Sequence, residues 1–159
     1  MTNELRIYVA NLSKYNEGIL KGAWIDLPAA DLWEQVQEIL GDDEEHAIHD
    51  YEAPFSISEY ANLDELNAIA EHLDNDYDME RFTFLVGQGY DFDYAFQHYE
   101  DVTCYQNMNL EDVAESMVEE GLFGDIADNI KCYINYELIA RDLDIDGYTE
   151  TDSGVFCYH

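Results

Sequence analysis

Asp142-Leu143-Asp144-Ile145-Asp146-Gly147 sets three carboxylates at alternate positions and follows them with a glycine. That is the first half of a calcium-binding EF-hand loop, in which the acids converge on the ion and the glycine makes the sharp turn. Glu150 stands at the ninth position of such a loop. The twelfth position, where a bidentate glutamate would close the shell, is Ser153, and Gly154-Val155-Phe156 reads as strand where an exiting helix is needed. Asp142, Asp144, Asp146 and Glu150 therefore make half a cation site. An acidic turn between a helix and a hairpin accounts for the same residues. The run Asp74-Asn75-Asp76-Tyr77-Asp78-Met79-Glu80 also alternates acids but lacks the glycine, and it reads as a solvated loop.

Other chemistry finds less support. His46, His49, His72, His98 and His159 lack the helical spacing of a metal pair. Cys104, Cys132 and Cys157 form no zinc pattern, and three widely spaced cysteines suit a reducing cytoplasm. Paired carboxylates serve glycosidases, but among 37 acids close pairs are certain by chance. No nucleophile elbow, phosphate-binding glycine loop or dinucleotide fingerprint occurs. The expectation is a protein that is not an enzyme and holds no cofactor or metal.

The acids on one helix are more informative. After Asn109, the residues Leu110, Val113, Ala114 and Met117 make an apolar stripe, while Glu111, Glu115 and Glu119 make a row on another face. Each four-residue step rises about 6 Å, so the row is a regular line of anions. Like charges at this spacing weaken an isolated helix. A solvated face explains the row in an ordinary protein; here almost no lysine accompanies the acids.

Across 159 residues there are 37 Asp and Glu against 6 Lys and Arg, a formal net charge of -31. Such charge opposes compactness. It excludes direct nucleic-acid binding, which needs cations for phosphates, and docking on anionic lipid. The fitting partner is a strongly basic surface or a bound cation. With 47% hydrophobic and 14% aromatic residues the chain is not a disordered acidic tail. It has no apolar run long enough for a membrane span, and Met1 to Ala10 lack the pattern of a signal peptide. Duplex DNA carries one charge per roughly 1.7 Å, so this charge matches about 50 Å of duplex, or some fifteen base pairs.

The elements that would position these acids indicate an α+β chain in three segments. Residues 1–55 suit a small β-sheet with a helix. Leu5, Ile7 and Val9 alternate in a first strand, Ala23 to Leu27 form a second that Pro28 ends, and Glu45 to Tyr51 form a third. Asp31 to Leu40 is a helix with Leu32, Val36 and Leu40 on one face and Gly41 as its stop. Residues 56–101 read as a small helical bundle. Asn62 caps a helix bearing Leu63, Leu66, Ile69, Ala70 and Leu73, followed by helices over Met79 to Val86 and Phe92 to Tyr99. In residues 102–159, Asn109 and Asp112 form a capping pair for a helix running to Glu120 and stopped by Gly121. A helix over Asn129 to Leu143 follows, then a hairpin pairing Tyr148 to Glu150 with Val155 to Tyr158. Three small cores make the expected molecule elongated.

Four stretches resemble one family: Tyr8 to Pro28 (YVANLSKYNEGILKGAWIDLP), His46 to Phe55 (HAIHDYEAPF), Glu111 to Gly121 (EDVAESMVEEG) and Tyr133 to Gly147 (YINYELIARDLDIDG). In this order they resemble the ArdA antirestriction proteins of plasmids and conjugative transposons, across nearly the whole chain. The resemblance implies a curved three-domain protein that dimerises through its third domain and mimics B-form DNA. Such a protein occupies the DNA-binding cleft of type I restriction-modification enzymes, blocking restriction and usually modification. The family's antirestriction motif falls on Leu110 to Gly121, with Asp112, Glu119 and Glu120 at its acidic positions; Glu111 and Glu115 extend that surface. Asp74, Asp76, Asp78, Glu80, Asp91 and Asp93 of the middle segment join the phosphate-mimicking set. Tyr133, Ile134 and Tyr136 mark the implied homodimer contact. Ser116-Met117, Ala127 and Asn135 depart from residues common in the family near that contact. Two further classes fit the composition: a calcium-binding protein using Asp142 to Glu150, and an acidic chaperone of basic DNA-binding proteins.

Overall fold

The structure, a computed structural model, describes residues 4–159. It confirms an α+β protein, with eight α-helices and two three-stranded antiparallel sheets among the described residues. The chain divides into two compact units, one ending at Thr83 and the other Phe84–His159. The boundary expected after residue 55 lies inside the first unit, and the one after residue 101 inside the second.

In the first unit, β1 (Leu5–Asn11) lies between β2 (Gly22–Leu27) and β3 (His46–Glu52), antiparallel to both. Side chains alternate across a strand, so Leu5, Ile7 and Val9 with Ile25 and Leu27 turn to one face, where all are buried. Helix α2 (Leu32–Leu40) packs on β1 and β2. It buries Leu32, Val36, Ile39 and Leu40 and ends at Gly41 in the left-handed region. A short helix that the sequence pattern does not announce, α1 (Leu12–Asn16), follows β1. Its signal is a single residue, the fully buried Asn11. The Asn11 Oδ1 accepts the Lys14 N–H (3.0 Å), and its Nδ2 donates to the carbonyls of Ile39 and Leu40 and to Asp43. One amide thereby caps α1 and closes the end of α2, leaving no buried polar atom of Asn11 unmatched.

Helix α3 (Leu63–His72) starts where expected, with the Asn62 side chain accepting the Glu65 N–H at 3.0 Å. Leu63, Leu66, Ile69 and Ala70 are buried. Helix α4 spans Asp76–Gly87, beginning three residues before the expected start. The acidic run read as a solvated loop is therefore corrected: Asp76, Asp78 and Glu80 lie on its first turns. The cause is local. Asn75 accepts the Asp78 N–H (2.8 Å) and donates back to the Asp78 carboxylate (2.9 Å), and anions suit the positive end of a helix.

In the second unit, α5 (Phe92–His98) is capped by Asp91 and passes into a 3-10 turn. An unexpected strand, β4 (Thr103–Gln106), then pairs with the predicted hairpin of β5 (Thr149–Thr151) and β6 (Gly154–Cys157), in the order β4-β6-β5. The close pairing needs Gly154: its φ is +150°, and a Cβ there would strike the Tyr105 carbonyl oxygen. Helix α6 (Leu110–Glu119) packs on α8 (Tyr136–Ile145). Val113, Ala114, Met117, Leu143 and Val155 form the core between them and the sheet. The single helix expected over Asn129 to Leu143 is two, α7 (Asp128–Lys131) and α8. Asn135 makes the break: its side chain accepts the Leu138 N–H (3.1 Å), so the residue acts as a cap where the apolar pattern suggested continuity.

Candidate functional site

Helix α6 is anchored before it presents anything. Asn109 Oδ1 accepts the Asp112 N–H at 2.8 Å, and the Asp112 carboxylate accepts the Asn109 N–H at 3.1 Å, so the predicted capping pair forms in both directions. A third free amide, that of Leu110, donates to Glu150 across the unit at 2.8 Å. These bonds satisfy three of the amides that a helix start leaves open and set negative groups at its positive pole. Val113, Ala114, Met117 and Val118 fix the opposite face in the core. Glu111, Glu115 and Glu119 are consequently exposed along one side of the helix, with Asp112 and Glu120 exposed at its two ends. Asp112 does structural work as well as carrying charge, which the spacing of acids alone did not distinguish.

The other predicted acids divide by environment. Asp74, Asp76, Asp91 and Asp93 are exposed. Asp91 caps α5 through the Tyr94 N–H (2.8 Å), and Asp93 accepts from Gln97 (3.0 Å). Asp78 and Glu80 are half-buried. Hydrogen bonds from Asn75 and then Arg81 hold the Asp78 carboxyl below its ordinary pKa, so its charge is already committed to Arg81 at 2.5 Å.

The calcium half-loop does not form as a loop. Asp142 and Asp144 lie within α8 and Asp146 caps its end, so the two-residue spacing that would align the acids on one side of an extended chain turns them to different helix faces. Glu150 is engaged by the Leu110 amide. Among the described residues no group of three His, Cys, Asp or Glu gathers in a way that would hold a metal ion.

Cations are few and mostly matched within the molecule. Arg6 contacts Asp26 (2.6 Å) and Glu52 (3.2 Å), and those hydrogen bonds, Asp26 first, raise its pKa. Lys14 lies 3.7 Å from both Glu17 and Asp43, and Lys131 is near Glu119 and Asp128. Among the described residues Lys21 alone has no carboxylate within ion-pair reach. The remaining carboxylates far outnumber these cations, and many of them, Glu111 and Glu115 included, are exposed.

The implied dimer residues differ in exposure. Tyr133 is 83% exposed, Ile134 is half-buried, and Tyr136 packs on the α6–α8 core. Leu122, Phe123, Ile130 and Leu138 of the same unit are large apolar residues that also face outward. Sequence reasoning did not single out Tyr90, Tyr94, His98 and Tyr158, which the fold gathers into one ring cluster. Its only trace in the sequence is the four-residue interval from Tyr90 to Tyr94 to His98.

The fold and the surface together define an acidic α+β protein whose exposed carboxylates are arrayed on capped elements. The model of the family described as antirestriction protein (ArdA) matches residues 7–157, and the chain belongs to that family. Membership supports an antirestriction function and an interaction with restriction enzymes. No match was found among curated proteins. Among the described residues no helix is long and apolar enough to cross a membrane.

Proposed function

We propose that this protein inhibits type I restriction-modification enzymes by imitating B-form DNA. Its carboxylates stand in for phosphates in the enzyme's DNA-binding cleft and exclude the substrate, blocking restriction and usually modification. The observation that carries this reading is the row Glu111, Glu115 and Glu119, exposed along a helix whose start is pinned by three hydrogen bonds. A pinned helix sets these anions on a fixed rise, as a backbone sets its phosphates. The reading needs no catalytic group, since occupancy of the cleft suffices. The enzyme's Lys and Arg grip the carboxylates as they grip phosphates, and ions released from both surfaces make the complex sensitive to salt.

The proposal includes a homodimer through the second unit, which doubles the length of charge offered. Its support is the outward-facing Tyr133 with Ile130, Leu122 and Phe123, since exposed large apolar residues in so acidic a protein are suited to burial by a second copy.

The test is competition. Purified protein is added to a type I enzyme holding labelled target DNA, at low and at raised salt. The expected result is stoichiometric release of DNA at low salt that fades as salt rises. DNA that stays bound at protein excess and low salt overturns the reading. Equal binding to any basic DNA-binding protein, with no preference for the restriction enzyme, favours a chaperone of basic proteins.

A further inference from the structure

We propose that the ring column Tyr90–Tyr94–His98, edged by Asp91, Asp93 and Asp101, receives an arginine side chain of the basic partner. The inference rests on the acidic surface being the partner-binding surface, and it assigns a specific anchor within it.

The rings are held in place before any partner arrives. Tyr90 and Tyr94 stack with centroids 4.5 Å apart and planes 14° apart, and His98 lies over the other face of Tyr94 at 4.2 Å. Tyr158 stands edge-on to both tyrosines and shares a 2.6 Å hydroxyl–hydroxyl hydrogen bond with Tyr94. His98 Nδ1 lies 3.4 Å from the Asp101 carboxylate, and Asp91 caps the helix that carries Tyr94 and His98. Tyr94 is thus covered on both faces. Tyr90 is covered on one face by Tyr94 and remains 38% exposed.

The molecule itself shows that its exposed rings accept arginine. The exposed rings of Trp24 and Tyr77 each carry one of the protein's own arginines, Arg6 at 5.0 Å and Arg81 at 4.3 Å. Among the described residues no Lys or Arg lies over Tyr90 or Tyr94. The negative face of a tyrosine ring attracts a cation, and the exposed carboxylates of Asp91 and Asp93, one and three residues further along the chain, add to the negative charge of this segment. A guanidinium fits better than an ammonium: it is planar, so it stacks on the ring while its fork of N–H donors reaches a carboxylate. Where the acidic surface offers no ring, a guanidinium gains at most its forked hydrogen bond to a carboxylate. At Tyr90 the geometry selects arginine.

The experiment titrates the full-length protein with oligoarginine and oligolysine peptides of equal length at one ionic strength. Wild type should prefer the arginine peptide by about threefold to tenfold, the range a partly exposed cation–π contact provides. Tyr90→Leu should lower that preference and keep its affinity for the lysine peptide. Tyr90→Phe, which retains the ring, should keep the preference, as should the control Tyr60→Leu at an exposed tyrosine of the first unit. A wild type without preference, or a Tyr90→Leu variant whose preference is intact, overturns the inference. If wild type fails to displace DNA from the restriction enzyme while its Tyr90-dependent arginine preference stands, the proposed function falls and the arginine anchor is upheld.

Discussion

Asn109→Ala tests whether the acid row depends on the cap beneath it. The substitution leaves the net charge at -31, so self-repulsion and its response to salt stay constant and only the local bond changes. Asn109 sits in extended conformation outside the helix (φ -97°, ψ 176°), which alanine adopts without strain, so helix propensity does not enter. What is lost is the 2.8 Å acceptor for the Asp112 N–H. The Asn109 N–H can still reach Asp112, and the Leu110 N–H still has Glu150. One cap of this kind is worth about 1 kcal/mol. For a unit of this size, that corresponds to a fall of roughly 4–8 °C in Tm. Thermal unfolding followed by far-ultraviolet circular dichroism reads the change, with Asn109→Ser as the rescue because serine also caps. Competition with DNA below the melting range should weaken by less than the loss of a cluster of charges would produce, since every glutamate remains. A Tm for Asn109→Ala within about a degree of wild type, against the cap value, or a serine variant as unstable as the alanine one, would refute the reasoning.

Further expectations concern charge, titration and packing. Raising salt towards about 1 M, where the screening length is near 3 Å, should raise the wild-type Tm by relieving self-repulsion; a flat or falling Tm contradicts a fold strained by its charge. Tyr158 has its pKa pushed up to about 12, first by its hydrogen bond to Tyr94 and then by desolvation. A folded pKa above the ordinary phenol value near 10 means its stabilising contribution is complete below that value and disappears as pH rises through the folded pKa. Ultraviolet titration should show a late tyrosinate component that Tyr158→Phe removes. Leu143→Ala, in the core shared by α6 and α8, should cost about 2–5 kcal/mol in denaturant unfolding of the second unit; a loss under about 1 kcal/mol would mean the site collapses around the cavity. Single Glu→Gln changes at Glu111, Glu115 or Glu119 should leave DNA competition nearly unchanged, because binding through many exposed charges spreads its energy.

Much of the fold was legible where a local rule and the core asked for the same thing. Leu5, Ile7 and Val9 alternate because their sheet has one dry face, and Leu32, Val36 and Leu40 recur at helical spacing because α2 lies on it. Asn62 and the pair Asn109 and Asp112 announce helix starts because the side chain that caps is adjacent to the amide it satisfies. Misreadings arose where the deciding partner is remote or polar. The β4 strand exists through pairing with β6, some fifty residues away in sequence. The apolar pattern continues around Asn135 and predicts one helix there, yet its side chain starts a new one.

The same division holds for the candidate site. The sequence by itself determined the quantity of charge, the rarity of cations, the family and the row of glutamates, because these depend only on residue identity and helical spacing. The tertiary structure alone decided how each acid is employed. It brought Glu150 to the start of α6 and turned Asp142 and Asp144 onto a helix instead of a loop. It also stacked Tyr90, Tyr94 and His98 and brought Tyr158 to them from the far end of the chain. Hydrogen bonds, ion pairs and ring stacks act over a few ångströms, and for residues tens of positions apart only the packed cores set those distances.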